Sequence, residues 1–153
     1  MPQAKREHAD SHTVARAVGG VRTPRPPSGA PVGLPSTITP VDRAEFERIV
    51  EMAIDIVPKP FSAALDDVGV VVEERAPAAH GSLYGLYQGH PAADFGRAPS
   101  GALPPLISIY MYPMLDVYRT EKELVEQVNI TLLHELGHHL GLDEDQLEER
   151  GYR

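Results

Sequence analysis

The stretch TEKELVEQVNITLLHELGHHLGLDED, residues 120–145, organises the chain because it combines a long helical pattern with a cluster of metal-binding side-chain types. Thr120 and Glu123 form a T-x-x-E capping box, which predicts that a helix begins there. An apolar face then repeats every four residues at Leu124, Val128, Leu132, Leu136 and Leu140. The pattern therefore predicts one long helix that packs against the core through its leucine-rich stripe.

Two histidines near the end of this helix have the spacing of a metal site. His134 and His138 lie four positions apart, so both imidazoles project from one helix face, and Glu135 lies beside them. Neutral imidazole nitrogens suit Zn²⁺, and an adjacent carboxylate can take a proton from water. Because the leucine stripe lies on another face, we expect the histidines to point away from the core. The competing interpretation is a solvated polar face that binds no ion.

The third ligand is expected just beyond the helix. Fifteen residues follow His138, too few for a ligand on a second long helix. Gly141 can adopt a left-handed conformation that ends the helix and turns the chain back. In the pattern H-E-x-x-H-x-x-G-x-x-[H/D] the last position is Glu144, which we predict as the ligand, with Asp143 or Asp145 as substitutes. Alternatively, DEDQLEER is the acidic start of a last short helix with Asp143 as its N-cap.

The remaining histidines are assigned simpler roles. His139 points about 100° around the helix from His138, so it is expected to pack or to support the site rather than to bind the same ion. His80 and His90 lie in segments that contain Gly and Pro, and we expect them to be exposed.

The chain before this helix is predicted to contain one further helix and three strands. Thr39 and Asp42 resemble a capping pair, Pro40 fits the first helical position, and apolar residues at helical spacing continue to Val57, just before Pro58. Short apolar runs bounded by turn residues predict strands at 68–74, 82–89 and 105–113. The order of helix, three strands, helix and short acidic tail favours an α+β fold.

Composition limits the classes of protein. The 153 residues suit one domain, and the lack of Cys excludes disulfide scaffolds and zinc ribbons. The formal net charge of −8 argues against a nucleic-acid partner. No secretory signal or membrane span is readable, so we expect a cytoplasmic protein with no membrane partner. Residues 1–40, with seven prolines, are expected to form a disordered tail, and residues 41–153 the folded domain.

Several stretches together resemble the minimal zincin-like metallopeptidases of bacteria. They are FERIVEMAIDIVPKPFSAALDDVGVVVEE, LYGLYQG, LPPLISIYMYP and HELGHHLGLDEDQL, which span most of 41–153. The resemblance implies a minimal zincin-like domain, a small twisted β-sheet packed with an N-terminal helix and an active-site helix, with Zn²⁺ as cofactor. The chain departs from the family pattern at Glu144, where Asp is usual; glutamate is one methylene longer and can still ligate.

The resemblance also implies a zinc metalloendopeptidase that acts on a peptide or protein substrate. His134, His138 and Glu144 would then hold the metal, and Glu135 would be the general base. An extended substrate would lie against an edge strand, for which the candidate is the segment 83–87, consisting of Leu83, Tyr84, Gly85, Leu86 and Tyr87, with the glycine allowing close backbone approach. An ordinary strand with a bulge at that glycine explains the same residues.

Other classes of protein also contain H-E-x-x-H. Peptide deformylase takes its third metal ligand from a cysteine, which this chain lacks, and the rRNA-processing endonucleases need a third histidine and a basic surface. A non-catalytic module, in which zinc only ties the C-terminal segment to the helix, stays open. Glu135 favours catalysis, because a purely structural site needs no base. The sequence does not specify an oligomeric state.

Overall fold

The computed structural model describes residues 41–90 and 100–152, so the expected tail at 1–40 lies outside the described residues. A short 3₁₀ helix at Ala78–His80 separates the first two strands. The main elements, in chain order, are α1 (Arg43–Asp55), α2 (Phe61–Ala64), β1 (Gly69–Glu73), β2 (Gly85–Gln88), β3 (Leu106–Tyr110), α3 (Met111–Leu115), α4 (Glu121–His139) and α5 (Glu144–Glu149).

The three strands form a mixed sheet in the order β1-β3-β2. β1 runs parallel to β3, with Gly69 opposite Leu106, whereas β2 runs antiparallel to β3, with Gly85 opposite Ile109. The chain therefore crosses from one edge of the sheet to the other before it fills the middle. Helices packed on a small mixed sheet confirm the predicted α+β fold, and β2 occupies a sheet edge among the described strands.

Helix α4 lies at the centre of the core. Its N-terminus is the predicted capping box: Thr120 accepts a hydrogen bond from Glu123 N, and the Glu123 carboxylate accepts one from Thr120 N. The helix packs against α1 and against β2 and β3. Four residues of the stripe are buried, namely Leu124, Val128, Leu132 and Leu136. The fifth, Leu140, is the C-cap and is 39% exposed. The stripe is confirmed except at its end.

Two of the predicted boundaries are wrong. Helix α1 does not begin at Pro40: Asp42 is its N-cap and accepts a hydrogen bond from Glu45 N. The strand predicted at 105–113 ends at Tyr110, and the residues after it form α3. Pro113 fits this helix because proline is tolerated within a first turn, where no intrahelical donor is lost. The other two predicted strands are confirmed with shorter bounds.

No helix among the described residues is both long enough and apolar enough to cross a membrane.

Candidate metal centre

The polar side chains of the H-E-x-x-H motif are buried. His134, Glu135, His138 and His139 are all at most 3% exposed. His134 and His138 lie on the helix face opposite the leucine stripe, and that face is packed rather than exposed to solvent. The leucine stripe buries one side of α4, and β2 and α5 cover the histidine side, so this end of the helix has no solvated face. A polar helix face of the kind proposed as the alternative is not what the structure shows.

The chain turns back over this buried face at Gly141. Its φ of 85° lies in the left-handed region, as expected for a glycine that ends a helix. Gly141 N donates to His138 O at 3.0 Å and Leu142 N donates to Gly137 O at 2.9 Å, the paired bonds of a Schellman motif. Asp143 then caps α5, because its carboxylate accepts from Gln146 N at 2.9 Å. The predicted capping role of Asp143 is confirmed.

Gly137 allows α5 to approach α4 closely. A Cβ atom at this position would lie 2.3 Å from Leu147 Cδ2, far inside van der Waals contact. Leu147 has no exposed surface, so its side chain fills the space that the glycine leaves open. The glycine inside the motif therefore has a packing function, and it determines how near Glu144, the first residue of α5, comes to the histidines.

Three electron-pair donors meet where α5 begins. The Nε2 atoms of His134 and His138 are 3.1 Å apart. Glu144 Oε1 lies 3.1 Å from His138 Nε2 and 3.6 Å from His134 Nε2. Within the described part of the chain, these residues form a group whose ligand atoms all lie within 4.8 Å of one another. Asp143 and Asp145 are not members of this group. The structure thus brings together the two histidines and the glutamate that were predicted as ligands.

Backbone carbonyls fix the protonation of both imidazoles. His134 Nδ1 lies 2.7 Å from Tyr152 O, and His138 Nδ1 lies 3.2 Å from Leu142 O. A carbonyl oxygen only accepts, so each Nδ1 carries the hydrogen, and in a neutral imidazole Nε2 then carries a lone pair. Both lone pairs and the Glu144 carboxylate therefore converge on one point. Donors this close repel one another unless a metal ion or a proton lies between them.

The spacing of these donors fits a zinc ion. Tetrahedral Zn²⁺ with nitrogen and oxygen ligands at about 2.0–2.2 Å holds neighbouring donor atoms about 3.3–3.5 Å apart. The three separations observed, 3.1, 3.1 and 3.6 Å, lie close to this range. Three protein ligands also leave one position of a tetrahedron for water or substrate, as in catalytic rather than structural zinc sites. Glu144 is half-exposed, so the site can be reached from its side.

Comparison with known proteins agrees with this geometry. The family model for zincin-like metallopeptidases matches residues 65–152, more than half of the chain. The chain belongs to the zincin-like metallopeptidase family. The match covers β1 to α5, so it includes the sheet and every residue of the His-His-Glu cluster of this zincin-like chain. A zincin-like fold with such a cluster is compatible with a zinc metallopeptidase.

Among solved structures, the zincin-like chain is similar to a conserved hypothetical protein from Thermus thermophilus. The two sequences are 29% identical, the similarity covers 71% of this chain and 99% of that one, and the TM-score is 0.44. No curated protein matches the chain.

Glu135 is held by the edge strand. Its side chain has no exposed surface, and its Oε2 accepts a hydrogen bond from Tyr87 N at 2.9 Å. In the antiparallel ladder the backbone of Tyr84 bonds to Tyr110, so alternate residues, Gly85 and Tyr87, turn their backbone groups away from β3. The outward edge of β2 therefore meets the carboxylate that follows the first histidine.

A second link between β2 and α4 was not predicted from the sequence. Tyr87 Oη lies 2.8 Å from His139 Nδ1 and donates to His90 O at 2.7 Å. Burial raises the pKa of Tyr87 to about 12 and lowers the pKa of His139, so both groups are neutral near pH 7. His139 thus ties the helix to the strand. The position of His139 next to His138 suggested a supporting role, but no neighbouring residue in the sequence identifies Tyr87 as its partner.

The predicted substrate-binding segment overlaps edge strand β2 only at 85–87, and its side chains are buried. Leu83, Tyr84, Leu86 and Tyr87 are all at most 4% exposed and Gly85 is buried as well, so neither the side chains nor the backbone of this segment face open solvent. Gly85 has a packing role in the structure. A Cβ there would lie 2.5 Å from Thr131 Cγ2, so the glycine allows the close approach of α4. Substrate binding by this segment stays a prediction.

Proposed function

We propose that this protein is a zinc-dependent peptidase that hydrolyses peptide bonds, with His134, His138 and Glu144 as metal ligands and Glu135 as general base. The observation that supports it most directly is the convergence of two Nε2 lone pairs and one carboxylate oxygen within 3.6 Å. Membership of the zincin-like family supports the reaction class, and the spacing of the donors supports zinc as the cofactor.

Zinc bound by these residues would lower the pKa of a coordinated water to about 7 and would polarise a substrate carbonyl. Glu135 would take a proton from the attacking water and later give it to the leaving amine. The hydrogen bond from Tyr87 N to Oε2 fixes the carboxylate, so the general base is already oriented before substrate arrives. Carbonyl oxygens of the backbone hold both imidazoles in the tautomer that ligates.

The substrate in this proposal is an extended peptide or protein segment that pairs with the outer edge of β2. Gly85 and Tyr87 direct backbone groups to that edge. Tyr87 N already bonds to Glu135 and Gly85 is buried, so pairing with a peptide would require this edge to be uncovered first. We further propose that the enzyme works in the cytoplasm and has neither nucleic acid nor membrane as partner, in keeping with its acidic composition.

The test compares the full-length wild-type chain with Glu135→Gln and Glu126→Gln. Glu126 is exposed on the same helix and pairs with Lys122, so its variant controls for loss of one carboxylate from α4. Zinc per chain would be measured by elemental mass spectrometry and hydrolysis by mass spectrometry of a peptide library. We expect near-stoichiometric zinc in all three proteins and loss of hydrolysis in Glu135→Gln alone.

Each other outcome has a definite meaning. Absence of zinc from the wild-type protein, even after zinc is offered at neutral pH, would refute the metal site. Hydrolysis by Glu135→Gln at the wild-type rate would refute the role given to that residue. Stoichiometric zinc with no hydrolysis by the wild-type protein would support the alternative function, a non-catalytic interaction module stabilised by zinc.

A further inference from the structure

The chain beyond α5 folds back onto the first histidine of the motif. Gly151 has a φ of 77°, its N donates to Glu148 O at 2.9 Å, and Tyr152 N donates to Leu147 O at 3.0 Å. These two bonds form a Schellman motif, like the one that ends α4. The turn directs Tyr152 O toward His134, 18 residues earlier, whose Nδ1 lies 2.7 Å away.

Apolar contacts hold this turn in place. The Tyr152 ring packs edge-on against Phe61 of α2, with ring centroids 5.4 Å apart and planes at 89°. Phe61 is buried, and Leu147, whose carbonyl accepts the bond from Tyr152 N, is fully buried against α4. The position of the Tyr152 carbonyl is thus determined by core packing on both sides of the turn.

The contact selects one tautomer of His134. A carbonyl that accepts from Nδ1–H leaves Nε2 with its lone pair, whereas a hydrogen on Nε2 would block a metal at that atom. His138 has an equivalent partner in Leu142 O, but at 3.2 Å against 2.7 Å. The Leu142 partner belongs to the turn after α4, and the Tyr152 partner comes from the far end of α5. The segment 143–152 therefore supplies one ligand and orients another.

We infer that Tyr152 is a positioning residue for His134, because its carbonyl fixes the imidazole tautomer and its ring, seated on Phe61, holds that carbonyl in place. The inference deepens the proposed function and rests on its metal site. It assigns the turn at 150–152 a part in metal binding, although none of its side chains reaches the ion. Loss of the turn should weaken zinc binding by about 10- to 100-fold, the usual effect of removing a partner that orients a metal-ligating histidine.

The test uses the full chain and three variants: Tyr152→Phe, which keeps the ring; Tyr152→Ala, which loses it; and a truncation that lacks residues 152 and 153. Zinc affinity would be measured by competition with a chromophoric chelator. Tautomers in the metal-free proteins would be read from ¹⁵N chemical shifts of the imidazoles at a pH where they are neutral. His138, held by Leu142, is the control within each sample.

We expect Tyr152→Phe to bind zinc within about two-fold of wild type, Tyr152→Ala several-fold more weakly and the truncation about 10- to 100-fold more weakly. In the truncation, His134 should shift toward the Nε2–H tautomer while His138 does not change. This spectroscopic difference would not follow from a general loss of stability.

Two results would overturn the inference. The first is wild-type zinc affinity in a folded truncated chain, and the second is an unchanged His134 tautomer. If the truncation does not fold, equal zinc affinities of Tyr152→Ala and Tyr152→Phe would overturn it instead. Failure of the wild-type protein to bind zinc would refute the proposed function, and the tautomers of the metal-free proteins would still decide the role of Tyr152.

Discussion

Replacing Gly137 by alanine tests whether the approach of α5 to α4 controls the metal site. An alanine in the middle of a helix is ordinarily more favourable than glycine by about 1 kcal/mol. Here its Cβ would lie 2.3 Å from Leu147 Cδ2, whereas carbon atoms normally approach to about 3.5–4.0 Å. Leu147 is fully buried, so relief requires either a new rotamer in a packed core or a displacement of α5 by about 1 Å.

Overpacking of this kind costs about 1–3 kcal/mol, which outweighs the gain in helix propensity. We therefore expect Gly137→Ala to lower the free energy of unfolding by about 0–2 kcal/mol, as measured by urea denaturation of the metal-free protein. Displacement of α5 would also carry Glu144 away from His138 Nε2, now 3.1 Å from its oxygen. Zinc affinity should fall by about 10-fold or more, a loss comparable to that of a misplaced ligand support.

The matched variant is Leu147→Val, which lacks the atom that would clash. In a double-mutant cycle, Gly137→Ala should cost less stability and less zinc affinity when Val is at 147 than when Leu is there. A Gly137→Ala protein that is more stable than wild type by the full propensity gain of about 1 kcal/mol, with unchanged zinc affinity, would refute the reasoning.

Three further predictions concern the ligand, the helix cap and the strand contact. Glu144→Ala should weaken zinc binding by at least about 100-fold in a chelator competition, because a lost ligand costs more than a lost orienting partner. A loss below about 10-fold would show that Glu144 is not a ligand. Hydrogen bonds to the Glu123 carboxylate, first that from Arg119 N, lower its pKa below the ordinary value of 4.5. The ionised carboxylate therefore stabilises the fold above pH 4.5, and this stabilisation is lost as the pH falls through the lowered pKa. Urea denaturation between about pH 5 and 3 should therefore show less acid destabilisation in Glu123→Gln than in wild type, and parallel curves would contradict this. Gly85→Ala should destabilise the fold by about 1–3 kcal/mol, and Thr131→Ser, which removes the methyl group that is contacted, should restore part of the loss; no rescue would mean that the strand contact is misjudged.

Local signals predicted α4 and its motif well. The capping box at Thr120, the four-residue repeat and the glycine that ends the helix all act within a few residues, so the sequence displays them directly. The turn at Gly141 predicted a ligand among Asp143, Glu144 and Asp145, because it can direct the chain back over the preceding face, and the H-E-x-x-H-x-x-G-x-x-[H/D] pattern selected Glu144. The three predicted ligands accordingly lie together in the structure.

Burial of the histidines was not predictable from the same pattern. A periodic stripe identifies one packed face of a helix, and it assigns the remaining faces to solvent by default. Helix α4 is packed on two sides, because β2 and α5 cover the face opposite the stripe. The contacts that fix this arrangement, Tyr87 with Glu135 and Tyr152 with His134, join residues 48 and 18 positions apart. No local signal encodes such pairs.

The start of α1 and the end of β3 were predicted wrongly for a different reason. At each position the local sequence suits two structures. Thr and Asp are both good N-cap residues, so Thr39 and Asp42 were both candidates. In the structure Asp42 is the N-cap, and Arg43, the next residue, donates a hydrogen bond to Val72 O of β1. The apolar run that ends at Pro113 is equally suited to a strand and to the first turn of a helix. A tertiary hydrogen bond accompanies the second outcome as well, because Tyr112 N of α3 donates to Glu74 O at 3.1 Å.

The ligand atoms of the candidate centre come from only eleven consecutive residues, His134 to Glu144. Closing so short a loop around an ion costs little chain entropy. Opening the centre needs only that α5 swing away on the turn at Gly141, while the sheet and the rest of α4 stay folded. The exchange of metal with solution should accordingly follow a local opening, faster than global unfolding, and the amides of α5 should lose protection from hydrogen exchange before those of β3 do.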